Sequence, residues 1–339
     1  MQIKRRPTII DVARKAGVSK SSVSRVLANE GVGVAEAKRK RIQRAIKQLG
    51  YVRNELASSL RTDRTKLVML LIPDITNPTW AETARGVQDA MDEEGYDVMF
   101  ANSDWNERRE LAFIAKAKQN RFDGILINPV QIDNDALLAA GIPAVILGLL
   151  KGYPQFDAVG SDNYASVNES LGHLTSLGHR RIGLIMGMRH RRSTPTRLTA
   201  YLDFMRESGN SLDDSLIVTV PFTQEGGGKG LKQLRELSDP PTAVFCDNDI
   251  LAIGAFLAAR EAGVQIPGEL SIIGVDDIFA ASITTPPLTS VSKPKYETGR
   301  QAARLLLERL RDHDLGLPRK VLLPCTLKIR GTTAEPPHR

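Results

Sequence analysis

From residue 66 onward, short apolar runs alternate with stretches whose apolar positions recur every three to four residues. The runs KLVMLLIP (66–73), YDVMFAN (96–102), GILIN (124–128), PAVILG (143–148), RIGLIMG (181–187), TAVFCD (242–247) and LSIIGVD (270–276) have the length of buried strands. Helical patterns lie between most of them, at 80–93, 107–119, 162–177, 197–208, 225–237 and 248–262. Such alternation predicts parallel sheets covered by helices, and the chain is long enough for two. Ligands of open α/β sheets sit beyond the carboxyl ends of the strands. The polar residues found there are Asp74, Asn102, Asn128, Asp247-Asn248 and Asp276-Asp277. Each of them also suits an ordinary turn or helix N-cap.

The first 50 residues follow a different pattern. Thr8 suits an N-cap, with Asp11 in the first turn and an apolar stripe of Ile9, Val12, Ala13 and Ala16 behind it. Gly17 supplies a stop and Ser19 a cap for the next helix, which turns Val23, Val26 and Leu27 inward. The opposite face of that helix carries Lys20, Ser21, Ser22 and Arg25, with no carboxylate among them. A third helix over 35–49 turns Ile42, Ala45, Ile46 and Leu49 inward and Lys38-Arg39-Lys40-Arg41 outward. Three short helices with a cationic second one describe a helix-turn-helix head. Arginine can take two guanine acceptors in the major groove, while serine and lysine satisfy phosphates and base edges.

Charge sharpens this division. Residues 1–66 hold 17 Lys+Arg against 5 Asp+Glu, and the remaining residues hold 29 against 34. A basic segment on a mildly acidic body is the electrostatic footprint of a nucleic-acid-binding head. No apolar run reaches membrane-spanning length, and MQIKRRPT has no apolar stretch behind its basic residues, which places the chain in the cytoplasm. Cys246 and Cys325 have no metal-ligand spacing and read as reduced thiols.

Catalytic patterns are missing. EGGGKG (225–230) lacks the first glycine of a P-loop and follows its lysine with glycine, so it reads as structural. There is no H-E-x-x-H and no G-x-S-x-G, and His173, His179, His190, His313 and His338 lack metal-type partners in sequence. Neither an enzyme nor a cofactor is expected.

TIIDVARKAGVSKSSVSRVLANE resembles the opening of the LacI/GalR family of bacterial transcriptional regulators. The resemblance continues through YVRNELASSLRTDRT, VMLLIPDITNP, LGHRRIGLI, PTAVFCDNDILAIGAF and IPGELSIIGVDDIFAASITTPPLTSV, over nearly the whole chain. It implies a three-helix helix-turn-helix head (1–50), a hinge helix and linker (51–66) and a periplasmic-binding-protein-like body (67–335) of two Rossmann-like subdomains. These would be 67–163 with 294–322, and 164–293 with 323–335. The candidate DNA-contacting residues of the head are Thr8, Ser19, Lys20, Ser21, Ser22, Ser24, Arg25 and Asn29. The segment 54–60 is too short to persist alone as a helix in water. By resemblance it orders on DNA, paired with its mate, with Asn54 and Ala57 near the groove and Leu60 wedged between base steps. Arg53 stands where the family usually has proline.

The resemblance also implies an effector in the cleft between subdomains, held by Thr79, Trp80, Arg197, Phe222, Asn248 and Asp276, to which strand-end Asn128 is added. Two departures bear on its chemistry: Gly148 where many sugar-binding members have aspartate, and Lys293 where many have glutamine. With Arg189-His190-Arg191-Arg192 nearby, they make a positively charged cleft and an anionic effector, a sugar acid or sugar phosphate, the expectation. A neutral sugar and a purine base are the alternatives. The expected assembly is a homodimer on a pseudo-palindromic operator in double-stranded DNA, working as a repressor in the bacterial cytoplasm. A solute-binding protein of a transport system is the competing class; the basic head and the missing leader argue against it.

Overall fold

The computed structural model describes residues 7–27, 34–52, 64–150, 152–188, 196–209, 213–312 and 316–337. The chain divides into two compact units, Met1–Thr65 and Lys66–Arg339.

In the first unit, α1 (Ile9–Ala16), α2 (Lys20–Leu27) and α3 (Glu36–Leu49) enclose a core of Val12, Ala13, Ala16, Val23, Ile42 and Ala45. The helix boundaries follow from local chemistry. Thr8 and Asp11 form a reciprocal capping box, with Thr8 N donating to Asp11 Oδ2 at 2.8 Å. Gly17 ends α1 with φ of 65°, a left-handed turn that glycine adopts without a Cβ clash. Ser19 Oγ accepts from Ser22 N at 3.2 Å and so caps α2.

The second unit holds two sheets. The first contains β1 (Leu67–Ile72), β2 (Asp97–Asn102), β3 (Gly124–Ile127), β4 (Ala144–Leu147), β5 (Asp157–Ser161) and β11 (Lys320–Leu323) in the order β11-β5-β4-β3-β1-β2, all parallel. The second contains β6 (Ile182–Gly187), β7 (Ile217–Val220), β8 (Ala243–Cys246), β9 (Ser271–Asp276), β10 (Thr289–Ser292) and β12 (Thr326–Lys328) in the order β12-β10-β9-β8-β6-β7. Only β12 runs antiparallel to its neighbour.

Helices cover both faces, as buried parallel strands require. On the first sheet, Val68, Leu70 and Ile72 of β1 face α4 (Thr79–Asp92) and α12 (Lys295–Arg311), while Met69 and Leu71 face α5 (Glu107–Gln119) and α6 (Asn134–Ala140). The two-residue alternation of a strand puts successive side chains into different cores. The second sheet is sandwiched likewise between α7 (Asn163–Ser176) with α8 (Thr196–Glu207) and α9 (Gln224–Arg235) with α10 (Asp249–Glu261). A short α11 (Phe279–Ile283) follows β9.

The glycine run 225–230 lies inside α9, so its role is packing. A Cβ on Gly227 would stand 2.0 Å from the Leu251 carbonyl oxygen of α10, and one on Gly254 of α10 would stand 1.9 Å from the Gln224 oxygen of α9. The two helices therefore meet backbone to backbone. The chain passes between the sheets after β5, after β10 and between β11 and β12, and these passages border the cleft where the two sheets' strand ends meet.

Candidate functional site

In the head, α2 exposes Lys20, Ser21, Ser24 and Arg25, with Ser22 half-buried. Ser19 Oγ lies 2.9 Å from both the Ser21 and Ser22 hydroxyls, a cluster able to give and take hydrogen bonds at the start of the helix. Lys38 to Arg41 are exposed on α3. The Thr8 hydroxyl is already committed to Asp11 Oδ2 at 2.7 Å. Asn29, Asn54, Ala57 and Leu60 lie outside the described residues.

In the second unit a cavity of about 190 Å³ opens between the sheets. All eight expected effector residues line it: Thr79, Trp80 and Asn128 from the first lobe, and Arg197, Phe222, Asn248, Asp276 and Lys293 from the second lobe and its crossover. Their placement follows from their elements. Thr79 and Trp80 open α4, where Asn77 Oδ1 accepts from Thr79 N at 3.1 Å. Asn248 caps α10 by accepting from Leu251 N at 2.9 Å, which aims its amide nitrogen elsewhere. Asn128 follows β3 and donates to the Leu147 carbonyl. Gly148 holds φ of 105°, so the residue that replaces the family's frequent aspartate also sits in backbone that favours glycine.

The cations of this cavity are paired. Arg197, almost fully buried, donates through Nη1 to the Asp247 carbonyl oxygen at 2.9 Å and also to the Asp247 carboxylate. Burial opposes the guanidinium charge, but the Asp247 and Asp276 carboxylates outweigh it and raise the Arg197 pKa above its ordinary value. Lys293 Nζ lies 3.2 Å from Asp276 Oδ1. Lys295 Nζ lies 3.0 Å from Glu82 Oε1 and donates to the carbonyls of Asp276 at 2.6 Å and Asp277 at 3.0 Å. Each of these three cations thus meets a carboxylate, Asp247, Asp276 or the more exposed Glu82, so that none of the three stands alone in the lining. Residues 189–192 lie outside the described residues. Beneath the cavity Asp249 is fully buried, and burial together with the nearby Asp276 charge pushes its pKa up to about 8.

Three buried polar atoms in the lining have no hydrogen-bond partner among the described residues: Arg197 Nε, Asn248 Nδ2 and Asn163 Oδ1. A buried polar group without a partner costs about 1–3 kcal/mol, so such atoms mark where a ligand's own polar atoms belong. Two donors and one acceptor suit hydroxyl groups, which both give and accept.

Sequence reasoning passed over Trp105, Asn163 and Lys295, all of which line the cavity. Asp247 was visible as a strand-end acid but not as the partner of Arg197. Trp105 is held by a turn in which Asp104 and Trp105 both lie in the left-handed region, at φ of 50° and 57°. Such backbone costs about 1–2 kcal/mol per residue. The Asp104 carboxylate, bound by Asn102 Nδ2 and Arg109, and the Trp105 carbonyl, which accepts from Gln131 Nε2 at 3.1 Å, hold the turn in place. The signal available in sequence was an aromatic residue three positions beyond the end of a strand.

Among the described residues no cluster of His, Cys, Asp and Glu is arranged to hold a metal ion. His173 bonds Thr333, and His179 is buried between Thr242, Ser271 and the Ala334 carbonyl; His190, His313 and His338 lie outside the described residues. Among those residues no helix is long and apolar enough to cross a membrane.

A sequence profile described as "Bacterial regulatory proteins, lacI family" matches residues 8–54, and one described as "Periplasmic binding protein-like domain" matches residues 171–333. The HTH-type transcriptional repressor CytR of Escherichia coli (strain K12) is 33% identical over 333 residues, spanning 97% of this chain and 97% of the relative. The chain belongs to the lacI family of bacterial regulatory proteins. Among solved structures, the transcriptional regulator CelR in complex with cellobiose is 29% identical, covers 96% of this chain and 100% of its own, and superposes with a TM-score of 0.70. A LacI family transcriptional regulator from Enterococcus faecium with bound ribose is 27% identical, covers 79% of this chain and 99% of its own, and gives a TM-score of 0.69. The two-sheet body of this lacI-family chain thus has the periplasmic-binding-protein-like architecture, behind a helix-turn-helix head.

Proposed function

We propose that this lacI-family chain is a cytoplasmic repressor that binds operator DNA as a homodimer and changes its hold on DNA when a small neutral carbohydrate enters the cleft. The observation that carries the effector reading is the lining of the cavity, in which Arg197, Lys293 and Lys295 each meet a carboxylate while two donors and one acceptor have no partner among the described residues. A sugar acid or sugar phosphate would bring charge to a lining with no spare cation among the described residues. A neutral ring bearing hydroxyls satisfies the open donors and acceptor and presents an apolar face to Trp80, Trp105 or Phe222.

On this reading Lys20, Ser21, Ser22, Ser24, Arg25 and Asn29 meet the operator, with Ser19 and Thr8 fixing the first two helices against its backbone. Residues 54–60 form the hinge helix, with Asn54, Ala57 and Leu60 at the minor groove. The second copy docks along the open edge of the first sheet. There β2 is an edge strand exposing Met99 and Phe100, a combination that favours pairing with another chain. Effector closing the lobes would alter how the two bodies meet and so whether the paired hinge helices form.

The test is selection of binding sites from random-sequence duplex DNA with the full chain, followed by measurement of affinity with and without neutral sugars. A two-fold symmetric site whose occupancy responds to a sugar supports the proposal. Binding that shows no sequence preference removes it.

A further inference from the structure

Trp105 and Phe222 belong to different lobes, yet their rings stack with centroids 5.3 Å apart and planes 9° from parallel. Both rings line the cavity and both are half-exposed, so the pair lies where the cavity opens outward. Each ring is seated by a separate device. A Cβ on Gly187, the last residue of β6, would stand 2.0 Å from Phe222 Cζ, so the ring lies flat on backbone that has no side chain. Trp105 is delivered by two consecutive left-handed residues fixed through Asn102, Arg109 and Gln131. Strained backbone held this firmly is characteristic of positions that serve a site.

We propose that Trp105 and Phe222 form an aromatic clasp across the cleft, and that Trp105 thereby sets the size of effector the protein accepts. The cavity volume is about 190 Å³, below the ~300–1,000 Å³ typical of drug-sized ligands, and the stacked pair stands across its opening. A second ring has to pass through the position of the stacked pair. The inference rests on the neutral-carbohydrate reading for the identity of the ligand, while the clasp itself is a contact between two of the chain's own side chains.

The chain has two tryptophans, so Trp80→Phe leaves Trp105 as the sole indole emitter. In that full-length background, acrylamide quenching of Trp105 is expected to be partial, since Phe222 covers one face of the ring. Phe222→Leu, which keeps apolar bulk over Gly187 but removes the ring face, should strengthen it roughly twofold. Quenching unchanged by Phe222→Leu, with folding confirmed by circular dichroism, overturns the clasp whatever the protein binds. The size gate is read from D-ribose and cellobiose titrated calorimetrically into the parent chain and into Trp105→Ala. The expected result is D-ribose binding by the parent, with cellobiose affinity at least about tenfold higher in Trp105→Ala than in the parent. Cellobiose binding as tightly as D-ribose to the parent overturns the gate. If neither sugar binds either protein while quenching shows the rings in contact, the clasp stands and the carbohydrate reading falls.

Discussion

Lys293 and Asp276 meet at 3.2 Å in the floor of the cleft, and this pairing decides what the lysine does. A lone lysine there would invite an anion; this one has its charge met by Asp276. Asp276→Asn should therefore free the Lys293 charge. The variant is expected to lose about ten- to a hundredfold in affinity for a neutral sugar, from loss of a charged hydrogen-bonding partner, and to gain binding of gluconate. Calorimetric titration with glucose and gluconate reads both effects. Unchanged selectivity would mean that the pair does not face the ligand.

Arg25 is exposed on α2 with no carboxylate on that helix to occupy it. If it takes two guanine acceptors, Arg25→Ala should weaken operator binding by about 1–3 kcal/mol while leaving binding to random duplex nearly unchanged. The ratio of the two affinities, measured at one salt concentration, is the quantity to compare. An equal loss on both DNAs would reassign Arg25 to the phosphate backbone.

The contact of α9 with α10 depends on absent side chains. Gly227→Ala would place a methyl 2.0 Å from the Leu251 carbonyl oxygen, and backbone cannot swing aside as a side chain does. A loss of at least about 1–3 kcal/mol in the stability of the second unit is expected in urea denaturation. Gly228→Ala is the control, since its nearest neighbours would lie at 3.4 Å, and it should change little.

His179 contributes a pH dependence to stability, as does His173, whose pKa burial also lowers. His179 Nε2 meets the Ala334 carbonyl at 2.9 Å and so donates, leaving Nδ1 to accept from the Thr242 hydroxyl at 2.8 Å. Burial chiefly lowers its pKa below the ordinary 6.5, so the folded chain keeps it neutral where the unfolded chain takes up a proton. This contribution to stability is complete above pH 6.5 and declines as pH falls through and below that value. Melting temperatures of the parent and His179→Gln between pH 5 and 8 should show the variant less stable at pH 8 and less dependent on pH. Parallel curves would show that His179 does not titrate differently on folding.

The seven long apolar runs were legible because parallel strands covered on both faces need continuous apolar sequence; all seven are strands, the exposed edge strand β2 among them. β5 (DAVGS), β7 (IVTV) and β10 (TSVS) are short and partly polar, and nothing local separates them from turns. Their pairing depends on neighbours far away in the chain. α12 has a clear apolar stripe in KYETGRQAARLLLERLR but lies after the alternating region, beyond the last of the runs. In the site, Trp80, Arg197 and Asn248 were reachable through resemblance, and the cavity does gather them. The pairings of Arg197 with Asp247 and of Lys293 with Asp276 were not reachable, because they join segments 50 and 17 residues apart through tertiary structure alone. Charge counted along the chain therefore could not show that Arg197 and Lys293 are each met by a carboxylate. Trp105 was missed for a related reason: its partner Phe222 belongs to the other lobe.

The most direct measurement is a thermal-shift series of the full chain with D-ribose, D-glucose, gluconate and glucose 6-phosphate at one ionic strength. Selective stabilisation by a neutral sugar, with none from the two anions, is the expected result. Stabilisation by gluconate or the phosphate, with none from the neutral sugars, would contradict a charge-balanced effector cleft.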